Sequence, residues 1–191
     1  MAIVVLHTRR LPRKDIAVVT STHNDTAAPQ TSRFELIRIW PAITPTDADE
    51  LLAFWKEHNA IPNEAQARAR LAQVVLLARD AEGAIAGVCT AYAMTPPQLG
   101  QPMYFWRGFI APKWRRTRLI GSLLSRSCQV LGDHARDNDY PCIGILLELE
   151  NDRFGSVGRK AEWVNPRFSY IGKSPRGLDV RAHYFRGAKL K

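Results

Sequence analysis

Residues 112–124 read Pro-Lys-Trp-Arg-Arg-Thr-Arg-Leu-Ile-Gly-Ser-Leu-Leu (PKWRRTRLIGSLL), with four cations inside residues 113–118 followed by an apolar turn. A cluster of this kind can track a nucleic-acid backbone, hold the phosphates of a cofactor, or keep a surface wet, and its neighbours decide among these. Upstream, MYFWRGFIA (103–111) has the aromatic and β-branched content of a strand and stops at Pro112. Downstream, Ile120, Leu123, Leu124, Ser127, Cys128, Leu131 and Ala135 share one face at helical spacing. The basic stretch therefore joins a strand to a long helix. Such a junction leaves about four backbone N–H groups unpaired at the helix start, which suits an anion.

The rest of the chain supplies alternating elements around that junction. FELIRIW (34–40) alternates like a strand. A helix is expected from an N-cap at Thr46 or Asp47 to near Asn59, with Leu51, Leu52, Phe54 and Trp55 on its apolar face. NEAQARARLAQ (63–73) reads as a polar helix, and VVLLARD (74–80) and AIAGVCTAYAM (84–94) as a hairpin around Ala81-Glu-Gly83. CIGILLEL (142–149) is almost continuously apolar, as a strand covered on both faces should be. SVGRKAEW (156–163) is expected to be a short helix, and FSYIGKS and LDVRAHYF a closing hairpin around Pro175-Arg-Gly177. The order is β-α-α-β-β-β-α-β-α-β-β, a mixed α/β sheet of about seven strands with flanking helices. Residues 1–32, with the polar run STHNDTAAPQTS, are expected to be an extension that offers an arm for homodimerisation. The domain proper is 33–186, and 187–191 form a basic tail.

Bulk properties bound the function. The chain has 191 residues, 46% hydrophobic and 24% charged, which suits one domain with a sizeable core. No apolar run approaches the roughly 20 residues needed to span a bilayer, and the N-terminal apolar run is too short for a signal-peptide core. No membrane association is expected. Cys89, Cys128 and Cys142 are odd in number and widely spaced, so neither a disulfide framework nor a zinc site is expected, and a reducing cytoplasm fits. The net charge of +9 and pI of about 9.9 favour an anionic partner.

This order of elements, with PKWRRTRLIGSLL after the fourth strand, resembles the GNAT superfamily of acyl-CoA N-acyltransferases over roughly residues 34–186. The family's phosphate loop, Arg/Gln-x-x-Gly-x-Gly/Ala, aligns with Arg116-Thr-Arg-Leu119-Ile-Gly121; Leu119 departs from the usual first glycine, and its bulk is expected to widen the loop. The resemblance implies acetyl-CoA as cosubstrate, with no metal. The contacts implied run through Arg116, Thr117, Arg118, Leu119, Ile120, Gly121 and Ser122. The arginines pair with phosphate oxygens, and Gly121 lets the backbone come close. Lys113 and Arg115 are expected at the outer phosphate or in solvent. A second stretch, Asn151-Asp-Arg-Phe154-Gly-Ser-Val157-Gly158-Arg-Lys160-Ala-Glu162-Trp163, matches the family's pattern after strand five at Asn151, Val157, Lys160 and Trp163. Phe154, Gly158 and Glu162 depart from it.

Gly158 stands where the family has the tyrosine that often protonates the leaving thiolate. Ser156, Tyr170 and Tyr184 are candidates for that acid, although a thiol of pKa near 8.5 already makes a tolerable leaving group. In the family, strands four and five splay apart and admit pantetheine. That implies backbone pairing near Phe109, Ile110 and Ala111, one N–H polarising the thioester carbonyl. Gly108 is either a bulge opening the splay or a close-packing glycine. Glu148, which interrupts the apolar run, is the candidate base, with Glu150 on the same face; the competing reading is an edge carboxylate paired to an arginine. His183 and Arg107 are further candidates, each with an ordinary surface reading beside it.

The implied reaction moves acetyl to a primary amine by direct attack through a tetrahedral intermediate. The acceptor is a small-molecule or protein amine, and aminoacyl-tRNA is the alternative suited to a broadly basic surface. An aminoglycoside acceptor fits less well, since a polycation needs an acidic cleft. The acceptor site is expected in the loops 41–63, 95–102 and 172–178. A GNAT-like module without catalysis and a plain nucleic-acid-binding domain are the rival classes; no recognition-helix motif supports the last.

Overall fold

The computed structural model describes residues 33–149 and 160–190. Among the described residues eight strands form one sheet in the order β1-β2-β3-β4-β5-β8-β7-β6. Their ranges are β1 Glu35–Arg38, β2 Val74–Arg79, β3 Ile85–Met94, β4 Met103–Ile110, β5 Gly144–Leu149, β6 Glu162–Val164, β7 Arg167–Lys173 and β8 Asp179–Tyr184. Helices α1 (Pro45–Glu57), α2 (Glu64–Leu71) and α3 (Leu119–Asp137) complete the framework, with a 3₁₀ turn at Pro112–Trp114. Every neighbouring pair is antiparallel except β4 and β5, which run parallel.

Local chemistry accounts for the helix boundaries. Helix α1 starts two residues earlier than its acidic residues suggest. Thr44 is the cap, its Oγ1 accepting from the Asp47 N–H at 3.1 Å, and Pro45 takes the first helical position, where no N–H is needed. Asn63 caps α2 in the same way, accepting from the Gln66 N–H at 2.9 Å. The first half of the expected helix at 156–163 lies outside the described residues; its second half is not helical, and Glu162 and Trp163 are instead in β6, paired to β7 through Glu162↔Ser169 and Trp163↔Phe168. The sheet thus gains an eighth strand. The expected arm at 1–32 also lies outside the described residues.

Alternation along β4 puts aromatic side chains on both faces and so recruits a layer to each. On one face Trp106 donates from Nε1 to Ser127 Oγ of α3 at 3.0 Å. Ser127 Oγ in turn donates to Leu123 O at 2.7 Å and lies 3.1 Å from Cys89 Sγ. This buried polar knot fixes α3 on the sheet. On the opposite face Phe109 packs edge-on against Phe54 of α1, ring centroids 5.7 Å apart. Leu51, Phe54 and Trp55 are buried beneath α1.

Candidate active site

The single parallel pair sets the geometry of the site. Strands β4 and β5 are paired only at Tyr104↔Ile145 and Phe105↔Leu146, although β4 continues to Ile110 and β5 to Leu149. Beyond those residues the two strands diverge into a fork that opens towards their C-terminal ends. The edge of β4 facing the fork follows from its ladder. The Ala111 N–H donates to Ala86 O at 3.0 Å, so Ala111 and, by alternation, Phe109 turn their amides towards β3. Gly108 and Ile110 turn theirs towards β5. Of the three backbone positions expected at the cofactor, only Ile110 therefore presents its peptide groups to the fork; Gly108 joins it. The Ile110 carbonyl accepts from Arg115 Nε at 3.2 Å.

Gly108 is no bulge: the β3–β4 register runs unbroken from Gly87↔Ile110 to Met94↔Met103. It is a glycine of close approach. A Cβ there would sit 2.6 Å from Ile120 Cδ1 and 2.6 Å from the Trp106 ring. Its absence lets the first turn of α3 settle against β4 at the fork.

That first turn has the properties of an anion site. Arg118 is the N-cap residue and makes no side-chain capping bond. The Leu119 N–H donates to Thr117 Oγ1 at 3.3 Å and the Ser122 N–H to Arg118 O at 3.1 Å. The N–H groups of Ile120 and Gly121 have no partner among the described residues. Gly121 is exposed, and nothing lies within 4 Å of where its Cβ would be. Arg116 and Arg118 are exposed, and among the described residues their guanidinium groups make no ion pair or hydrogen bond. A cavity of about 540 Å³ beside them is lined by Pro112, Lys113, Arg115 and Arg116. These features fit the polyphosphate of an acyl-CoA: two available N–H groups, two available guanidinium groups and an open approach over a glycine.

Two loop residues behave otherwise than expected. Leu119 does not widen the loop, because its side chain is buried and packs 3.4 Å from the position a Cβ on Gly87 would take. Thr117 spends its hydroxyl locally, donating to Trp114 O at 2.7 Å. Lys113 lies 4.5 Å above the Trp114 ring and 3.9 Å from Asp80, while Arg33 covers the same ring at 4.4 Å.

The acid–base candidates are scattered. Glu148, on β5 and on the face of Phe105, is ion-paired with Arg176 in the β7–β8 turn, which is the edge-carboxylate pairing. Tyr170 stands opposite Arg181, which stands opposite Leu147. It is therefore on the other face of the sheet from Glu148, with β8 between, and the two do not converge. Tyr184 pairs with Gly144 at the far end of β5 from the fork. His183 donates from Nδ1 to Arg167 O at 2.7 Å and packs between Phe168 and Phe185, a structural role. Arg107 donates to Gln73 Oε1 at 2.7 Å and lies 4.8 Å over Tyr92. Asn151, Glu150, Ser156 and Gly158 lie outside the described residues. Burial pushes the Cys89 thiol up to about 11 and the Cys128 thiol to about 12, so neither is a thiolate at neutral pH.

Sequence reasoning missed His58. It follows α1 directly, half-buried, with its ring 4.8 Å from Phe54 and 6.0 Å from Phe109 by centroid. A lone histidine after a helix carries no motif, and only the packing of α1 on β4 brings it near the fork.

The fold is that of the GNAT acetyltransferases. The chain is similar to a phosphinothricin acetyltransferase from Sinorhizobium meliloti solved in complex with AcCoA, with a TM-score of 0.57 and 14% identity over 84% of this chain and 94% of that one. A GNAT-family acetyltransferase from Streptococcus pneumoniae superposes with a TM-score of 0.54 at 14% identity, covering 79% of this chain and 99% of that one. A ribosomal-protein-S5-alanine acetyltransferase from Vibrio fischeri does so with a TM-score of 0.53 at 10% identity, covering 83% and 96%. No protein-family model and no curated protein sequence matches the chain. Among the described residues no helix is long and apolar enough to cross a membrane.

Proposed function

We propose that this protein is an acyl-CoA-dependent N-acyltransferase that moves acetyl from acetyl-CoA to a primary amine by direct attack. The observation that carries the proposal is the coincidence, at one end of the sheet, of a β4–β5 fork and a helix start with unpaired donors. Arg116, Arg118 and the Ile120 and Gly121 N–H groups would hold the phosphates. The Gly108 and Ile110 peptide groups would line the pantetheine arm, one N–H polarising the acyl carbonyl. Bound acetyl-CoA supplies an activated thioester whose thiolate leaves without strong acid assistance. Arg115 would release the Ile110 carbonyl to make room. Glu148, held by Arg176, would keep the β7–β8 turn at the mouth of the fork. The raised thiols of Cys89 and Cys128 support direct attack over a covalent cysteine relay.

Calorimetric titration with acetyl-CoA tests this, run beside an Arg116→Ala/Arg118→Ala variant. Micromolar binding is expected, weakened by at least about tenfold for each arginine–phosphate pair removed, since a charge-assisted hydrogen bond contributes about 1.5–3 kcal/mol. Equal affinity in both proteins would remove the phosphate assignment, and absence of binding by the wild type would remove the proposal.

A further inference from the structure

A second cavity, of about 800 Å³, lies between α1, the β2–β3 turn and the 3₁₀ turn, and shares Pro112 and Lys113 with the first. Phe54 and His58 form part of its wall. His58 is the link to the fork, because its ring packs at a tilt against Phe109, centroids 6.0 Å apart, and the neighbours of Phe109, Gly108 and Ile110, edge the fork. Neither nitrogen of the His58 ring has a hydrogen-bond partner among the described residues. The residue is half-buried on the cavity wall, so its nitrogens are available to solvent or to a ligand that enters.

The charge of the lining is opposite to that of the chain. In a protein of net charge +9, the cavity presents Glu50, Glu57, Asp80 and Glu82 against Arg79 and Lys113. Arg79 is committed to Glu50 at 2.7 Å and to Asp47 at 3.1 Å. Asp80 accepts from the Glu82 and Ala84 N–H groups through Oδ1, and its Oδ2 is 3.9 Å from Lys113. The carboxylates of Glu57 on α1 and Glu82 on the turn have no partner among the described residues and line the cavity. An acidic cleft of this kind is what a polycationic acceptor needs.

We infer that this cavity is the acceptor site, that it takes an amine carrying at least one further positive charge, and that His58 is the proton acceptor. The inference rests on the acyltransferase reading above. Glu57 and Glu82 draw the distal charges. The imidazole takes one proton from the reacting ammonium nitrogen. The freed lone pair forms the C–N bond to the acyl carbon, the C–S bond breaks with its electron pair on sulfur, and the second nitrogen proton ends on that sulfur. Charge and atoms balance with acetyl-CoA as the only co-reactant.

Spermidine is the probe. Its binding to the full chain without cofactor is measured by calorimetry, then turnover with acetyl-CoA, for the wild type, His58→Phe, His58→Gln and Glu57→Gln/Glu82→Gln. Phenylalanine keeps the ring contacts with Phe54 and Phe109 while removing both nitrogens; glutamine controls for a folding defect, read from the denaturation midpoint. His58→Phe is expected to bind acetyl-CoA and spermidine as the wild type does and to lose about 10²–10⁴-fold in kcat, partly restored by added imidazole. The double glutamine variant is expected to lose spermidine affinity with kcat little changed. Turnover of His58→Phe within threefold of wild type overturns the role of His58. Binding of acetyl-CoA without spermidine overturns the acceptor site and leaves the acyltransferase reading intact, whereas spermidine binding without acetyl-CoA binding overturns the acyltransferase reading and with it the acceptor role, leaving only a polyamine-binding cavity.

Discussion

Replacing Gly121 by alanine separates the demands of folding from those of a ligand. Gly121 is the third residue of α3, after Leu119 and Ile120, and is exposed with nothing within 4 Å of an added Cβ. Its φ is not in the left-handed region, so alanine adopts its conformation without strain. Alanine in an exposed helical position stabilises by about 0.5–1 kcal/mol relative to glycine. For a domain of this size that raises Tm by about 1–4 °C. The loop pattern that Gly121 matches takes glycine or alanine at this position, and an added Cβ meets nothing within 4 Å, so the methyl group leaves the N–H groups open to a phosphate. Affinity for acetyl-CoA is therefore expected to stay within about threefold of the wild type, or about 0.7 kcal/mol. Thermal or urea unfolding measures the first effect and calorimetry the second. A more stable variant whose affinity falls about tenfold or more would refute a loop that seats its phosphate as the Gly/Ala pattern does. A variant that is not stabilised would refute the helical environment itself.

Two further outcomes test the framework. Gly144→Ala would drive its Cβ into the His183 carbonyl oxygen of the neighbouring strand, a backbone atom that cannot step aside; a loss of at least about 3 kcal/mol is expected, read from the urea midpoint. The Cys89 thiol has its folded value raised from 9.0 to about 11, so the unfolded chain loses that proton first as pH rises. Its contribution to stability is complete below pH 9 and declines from there through about pH 11, by up to about 3 kcal/mol. Denaturation midpoints at pH 8, 10 and 11 check this; Cys89→Ala is expected to flatten that part of the profile.

The strand–basic loop–helix junction at 103–136 is legible in the sequence because its signals are local: Pro112 ends a strand, and apolar residues at helical spacing begin within two turns. Helix caps at Thr44 and Asn63 are half-legible, since several polar residues compete within one turn of each start. Strand β6 reads as helix because three residues carry no period, and their pairing to β7 is made with another segment of the chain. The candidate base meets the same limit. Glu148 stands out as a charge in an apolar run, but its commitment to Arg176 depends on a turn 28 residues away.

By itself, then, the sequence determined the class of fold and the basic strand-to-helix character of the 112–124 stretch, because spacing and charge act over one or two turns of chain. Tertiary structure alone decided how strands β4 and β5 part, which of their peptide groups face the opening, where Leu119 turns its side chain and that His58 meets Phe109. Each of these depends on surfaces of different elements fitting together. Close packing of that kind is settled by three-dimensional complementarity, not by the order of residues within any one segment.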